Sequence, residues 1–391
     1  MKHSAATQSD ANSLADMVDI LCTTAKKGLN FCYADPAALP YTIRYNGNDT
    51  LALNGFSIRY AAMAQIGIMH WLENHPENSN ELPDLWPRIS DIADSITHVG
   101  DFALALWAGL VSKADNLETF AQALQQSWYL QADTCNAVEL AWVLQACLID
   151  LQHHEYHRLK LKSIREDACR RLLSLFDEDS DLFYRHNRSG IVEYVSRRIS
   201  CFADQVYPIM ALANYAKLSG DQRCTAIVAR ASRRICDYQG DLGQWWWHYD
   251  VPGNKICEEF PVFSVHQDAM APMALKACAT TTDNNFDEEI ERGIRWLFES
   301  NELDEGLVCE PEGMIWRDIE RKEPQKMSRN LRGLCCVANM RKLHQYLGRW
   351  YQSFKINREC RPYHLGWILF AWADFAPDQA KEGNDCNEPV E

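Results

Sequence analysis

The chain has 391 residues, 47% of them apolar, and a formal net charge of −15. That length provides for a large core in one or two domains, while the acidic balance and the lack of any Lys/Arg run argue against nucleic acid as a partner. No uninterrupted apolar run approaches the ~20 residues of a membrane span, and the 15 cysteines, scattered with no C-x-x-C pair, read as the reduced thiols of a cytoplasmic protein.

The opening MKHSAATQSDAN lacks the apolar stretch of a secretory leader. The expected division is a disordered tail over 1–10, one domain over 11–375 and an acidic disordered tail over 376–391. Within the domain two classes of helix alternate. The first is charged along one side: SLADMVDILCTTAKKGL (13–29), LPDLWPRISDIADSI (82–96), LETFAQALQQSWYL (117–130), IREDACRRLLSLF (164–176), RCTAIVARASRRICDYQ (223–239) and FDEEIERGIRWLFES (286–300). The second is apolar nearly all round: IRYAAMAQIGIMHWL (58–72), DFALALWAGLVSKA (101–114), AVELAWVLQACLIDL (137–151), DQVYPIMALANYAKL (204–218), DAMAPMALKACA (268–279) and NLRGLCCVANMRKL (330–343), with YHLGWILFAWADF (363–375) closing the series.

A helix with one polar face borders solvent, and one apolar all round is surrounded by other helices. The alternation predicts an all-α protein, an α/α toroid of about six helical hairpins with inner and outer layers. An open helical solenoid is the alternative, which inner helices buried on every side disfavour. The links 30–56, 178–203, 240–266 and 301–328 are much longer than ordinary loops. All run from an outer to an inner helix, so in a toroid they crowd one rim.

Inner helices start at that rim, and their first turns carry the candidate chemistry. FADQVYP (202–208) and FSVHQDAMAP (263–272) share an Asp-x-x-x-Pro step. Asp204, Asp268 and His266 are the acid/base candidates, with Gln205 and Gln267 beside them. Helix capping is the alternative use of such aspartates. The sixth inner helix opens with Arg329 and Asn330, and RPYHLGW (361–367) contributes Arg361, Tyr363 and His364. The long loops add Trp246, Trp247 and Tyr249 from GQWWWHYD, Glu310, Trp316 and Arg317 from CEPEGMIWR, and Tyr184, Arg185, His186, Arg197 and Arg198. Carboxylates beside stacking aromatics suit sugar chemistry, and arginines suit an anionic group. Solvated surface charge is the alternative for the loop residues. His153, His154 and His157 in LQHHEYH lack the carboxylate motif of a zinc helix. With no phosphate-cradling glycine loop or nucleophile elbow either, neither a metal nor a cofactor is expected.

The stretch Gln239 to Trp245 reads Q-x-x-x-G-x-W. It resembles the QW repeat of the terpenoid cyclase and protein prenyltransferase superfamily, which implies an α/α toroid. That superfamily's D-x-D-D acid motif and D-x-C zinc pair are missing, so its reactions do not carry over. The blocks FADQVYPI, GQWWWHYD, FSVHQDAMAPMAL and RPYHLGW also resemble VpsJ-type proteins of exopolysaccharide biosynthesis. That resemblance implies cytoplasmic work on a polysaccharide, with a glycan or sugar-linked substrate and other biosynthesis proteins as partners. A non-catalytic glycan-binding subunit and an isoprenoid-processing enzyme are the competing expectations.

Overall fold

The computed structural model describes residues 13–48, 50–115, 117–152, 160–298, 301–322, 331–333, 335–338, 340, 343 and 353–376. The amphipathic segments form an outer layer: α1 (Leu14–Cys32), α3 (Trp86–Asp91), α5 (Glu118–Gln131), α7 (Lys162–Leu173), α10 (Gln222–Asp237) and α12 (Asp287–Phe298). The all-round apolar segments line the inside: α2 (Ile58–Asn74), α4 (Val99–Val111), α6 (Ala137–Gln152), α9 (Ala203–Ser219), α11 (Ala271–Ala279) with a π turn (His266–Met270) ahead of it, and α13 (Pro362–Ala371). Each inner helix packs on the next, and α13 packs on both the π turn and α2. The ring is therefore closed, an α/α toroid. An open solenoid would leave α2 with one bare flank.

Closure depends on two glycines. A methyl group on Gly67 of α2 would lie 1.8 Å from the Gly366 carbonyl oxygen of α13, and one on Gly366 would lie 2.5 Å from Ala64 Cα. The backbones meet with no side chain between them. The sequence assigned an inner position to 330–343, and here the structure differs. Arg329 and Asn330 lie outside the described residues, as do His153, His154 and His157. The described part of 331–338 packs on the rim, against the hairpin of β6 (His248–Asp250) and β7 (Lys255–Glu258). Arg332 Nε donates to Glu258 at 2.5 Å with both groups buried, and Lys255 Nζ donates to the Cys336 carbonyl at 3.1 Å. Arg332 finds its counter-charge on the hairpin, which holds this segment at the rim. The sixth inner position goes to α13.

The long links pair with one another across the rim. β1 (Thr42–Tyr45) lies between β2 (Leu51–Asn54) and β13 (Glu359–Cys360). β5 (Ile199–Cys201), which follows α8 (Ile191–Arg198), pairs with β6. β11 (Asp318–Arg321) lies between β8 (Val262–Phe263) and β12 (Phe354–Asn357). Short pairs complete the set, β3 (Phe176–Asp177) with β4 (Leu182–Phe183) and β9 (Val308–Cys309) with β10 (Met314–Ile315). Fully buried Asp250 accepts from Arg198 Nε at 2.8 Å and Nη2 at 3.1 Å, tying α8 to the hairpin. Deeper in the ring Trp107, Trp142, Tyr207 and Trp367 meet edge to face or tilted, and Trp367 Nε1 donates to Tyr207 Oη at 2.8 Å. These aromatics floor the concavity. Among the described residues no helix is long and apolar enough to cross a membrane.

Candidate active site

The acids and glutamines selected from the sequence lie beneath the mouth. Gln205 and Gln267 are fully buried and do the same job. Gln205 accepts from Phe183 N at 2.8 Å and donates to Phe183 O and Ser200 Oγ. Gln267 accepts from Trp245 N at 3.1 Å and donates to Phe263 O. Each amide satisfies backbone groups of a link passing over its helix. Asp204 accepts from Cys201 N at 2.9 Å. Burial pushes its carboxyl up, against the pull of that N–H and of Arg185. Asp268 is fully buried, with His364 Nε2 2.8 Å from both carboxylate oxygens. Burial pushes Asp268 up and His364 opposes it. His266 lies between Phe202 and Phe263, with Nδ1 3.4 Å from Trp245 O. Burial first, and then nearby His364, push its imidazole down to about 3, so the ring is neutral.

The tryptophan run divides. Trp245 is fully buried, and its link forms a clasp to α12. Gln239 Nε2 donates to the carbonyls of Gly243 and Glu289, while Gly243 (φ +94°) passes so close that a methyl there would lie 2.2 Å from Arg292 O. The Q-x-x-x-G-x-W stretch therefore works as a structural fastening. Trp246 packs over Gly240 and Phe260. Tyr249, expected on the wall of a site, is fully buried, stacked 5.7 Å from Tyr238, with its hydroxyl donating to Trp246 O. Trp247 is half-buried, edge-on to Phe263 at 5.5 Å. Trp316 is buried below Tyr45, and Glu310 is an exposed residue of the turn against α1, where Lys27 holds the Glu310 and Pro311 carbonyls.

Arg361, Tyr363 and Arg317 converge at the mouth. The rings of Tyr41 and Tyr60 stack at 5.0 Å, and Tyr60 meets Tyr363 at 4.5 Å. Arg361 lies 3.9 Å over Tyr41. Burial pushes the Tyr60 and Tyr363 phenols up, so both remain proton donors. Glu359, 2% exposed, is the shared counter-charge of Arg44, Arg317 and Arg361. Arg317 stays 34% exposed and reaches across Phe263 at 5.3 Å.

Three further mouth residues come from first turns that the sequence reading passed over. Arg59 of α2 donates to Asp101 of α4 at 2.5 Å, with exposures of 37% and 20%. The Arg59 guanidinium sits 5.3 Å over Trp142 of α6 and feels the charge of Glu139. Glu139 closes a capping box with Asn136, accepting from Asn136 N at 2.9 Å, and its other oxygen lies 3.5 Å from His98. They stand in first turns, as Asp204 and Asp268 do. Extending the first-turn rule to the first three inner helices would have found them. Two carboxylates, a guanidinium and stacked phenols above an aromatic floor can bind a polyhydroxylated ring and move protons at it. Among the described residues no group of three or more His, Cys, Asp or Glu side chains is placed to hold a metal ion.

No protein-family model and no curated protein matches the chain. Solved structures do. An unsaturated glucuronyl hydrolase specific for heparin aligns at 10% identity over 93% of this chain and 98% of its own, with a TM-score of 0.60. A sugar epimerase from a ruminal bacterium aligns at 10% over 92% and 98%, with a TM-score of 0.59. The GH76A α-1,6-mannanase of Salegentibacter sp. HEL1_6 aligns at 10% over 92% and 98%, with a TM-score of 0.55. Identities this low show a shared fold, the α/α toroid, and leave the reaction to the site.

Proposed function

We propose that the mouth is the active site of a glycan-processing enzyme. Asp101, oriented by Arg59, takes the base or nucleophile part at a glycosidic bond, and Glu139 takes that of proton donor. Tyr60, Tyr363 and Trp247 offer faces and hydroxyls to the sugar, and Arg317 and Arg59 face its anionic substituent. The observation that carries this reading is the Arg59–Asp101 pair lying over Trp142 next to Glu139, partly exposed to solvent, above a closed aromatic floor. Asp204, Asp268 and His266 then act as the buried frame that sets the inner helices. Isoprenoid processing calls for a dry wall, and the charged groups at this mouth weigh against it. The named activities of the three structural neighbours all concern sugars, which supports the substrate class. The VpsJ-type blocks support placing the work in exopolysaccharide assembly in the cytoplasm, by a single domain over 11–375 with other assembly proteins as partners.

The test is release of sugar from acidic oligosaccharides by purified protein. Asp101→Asn and Glu139→Gln should each cut the rate by about 100-fold or more while leaving the melting temperature near that of the wild type. Wild-type rates in both variants would overturn the assignment.

A further inference from the structure

The loop after β4 carries charge that the mouth does not use. It runs Tyr184, Arg185, His186, Asn187, Arg188, Ser189, Gly190 before α8. Its backbone is stitched to the mouth: Ala137 N donates to Arg185 O at 2.8 Å, two residues ahead of Glu139, and Arg185 N donates to Arg197 O at 3.0 Å. Beneath it His186 is fully buried, its Nδ1 accepting from Arg188 N at 3.3 Å and its Nε2 lying 2.8 Å from Ser196 Oγ. Burial first, and then the charges of Arg188, Arg185 and Arg197, push the imidazole down to about 4. The charges of all three guanidiniums thus act on one neutral ring. Among the described residues none of them has a carboxylate within ion-pair distance, and Arg197 Nε is buried with no hydrogen-bond partner, its guanidinium 4.4 Å over Tyr184. Arg185 and Arg188 are exposed to solvent and Arg197 is half-buried; in a chain of net charge −15, such a group of arginines beside the mouth can take an anion from outside the chain.

The same loop walls a cleft of about 500 Å³, lined by Asp133, Arg171, Asn187, Arg188, Ser189 and Glu193. That volume suits a small ligand, for which pockets run about 300–1,000 Å³. Arg171 is committed to Asp133 and Asp167, which leaves Arg188 as the free fork within the cleft. Asn187, Ser189, Asp133 and Glu193 offer partners for hydroxyl groups around it. An anion-binding fork among hydroxyl partners matches an acidic sugar better than a bare inorganic anion.

We propose that this cleft is a distal subsite for an anionic sugar residue, bearing a carboxylate or a sulfate, of the same chain whose reacting end occupies the mouth. The proposal rests on the glycan reading of the mouth and adds to it a preference for extended acidic polymers. Its test is binding, measured by calorimetry, of two-sugar and six-sugar hyaluronan fragments, with heparin hexasaccharide as the sulfated arm and isomaltohexaose as the neutral control. The six-sugar hyaluronan or heparin fragment should bind the wild type about tenfold or more tighter than the two-sugar one. In the Arg185→Ala/Arg188→Ala variant that advantage should vanish while two-sugar affinity is unchanged. The response of heparin relative to hyaluronan tells sulfate from carboxylate. No length dependence, equal gains for isomaltohexaose, or an unaltered double variant would overturn the subsite. Asp101→Asn separates the two ideas. If the mouth reading alone fails, hexasaccharide binding keeps its arginine dependence while Asp101→Asn works at the wild-type rate.

Discussion

Gly67 and Gly366 face each other where the first inner helix meets the last, with room for backbone and nothing more. This crossing closes the ring. Gly67→Ala should force α2 and α13 apart and cost about 1–3 kcal/mol or more, read as a fall in the urea midpoint. Gly47→Ala, where no atom lies within 4 Å of an added methyl, is the control. Equal midpoints for the two variants would remove the crossing from the account of closure.

The buried glutamines make a second prediction. Gln205→Leu removes an amide that satisfies both the N–H and the C=O of Phe183, and should cost about 2–4 kcal/mol by leaving them unpaired. Gln267→Leu should behave alike through Trp245 N and Phe263 O. Denaturant titration checks both. A neutral effect would mean that the links find other partners.

His364→Ala strands the Asp268 carboxyl in a dry site and should destabilise by about 3–5 kcal/mol. Pairing this variant with Asp268→Asn decides what Asp268 does. A supporting role predicts that any activity loss tracks the loss of melting temperature. Full stability with no activity in Asp268→Asn would return Asp268 to the chemistry.

The inner and outer layers were legible because each environment leaves a local mark: one polar stripe for α10 or α12, none for α4 or α6. The ring's last member was legible as an inner helix, but the exclusion of 330–343 from the ring was not. NLRGLCC and YHLGWILF are both apolar, and the choice between them rests on Gly366 meeting Gly67 and Arg332 meeting Glu258, contacts remote in sequence. The rim as the place of the candidate site was legible from the link lengths. The individual residues were less so. Asp204, Asp268, Gln205 and Gln267 stand at the right helical turn, yet depth below the mouth is set by how each link folds over its helix. Asp101 and Glu139 stand at the same turn with shorter links ahead of them, and remain partly exposed.

Asp318 predicts a pH dependence. Burial pushes its carboxyl to about 7, with neighbouring Arg317 opposing the shift, and one of its oxygens is buried without a partner. The unfolded chain releases this proton near the ordinary Asp value, so between about pH 4 and 7 the folded state holds more protons. Stability from this group therefore falls as pH rises through that window and levels off above it. Asp318→Asn should flatten the slope and raise stability at pH 8 by about 2–4 kcal/mol. Urea titrations at pH 5 and pH 8 measure both effects, and an unchanged slope would count against a protonated Asp318.

The closing of the ring by α13 has a consequence for synthesis. α2 is among the first helices to leave the ribosome, and its partner follows roughly 300 residues later, about 15–60 s at ordinary elongation rates. Throughout that interval the flank of α2 around Gly67 has no helix to cover it, and the floor of the bowl lacks Trp367. The nascent chain thus passes through an open arc with an apolar edge, the form in which chaperone capture or pairing with a second unfinished chain would find it.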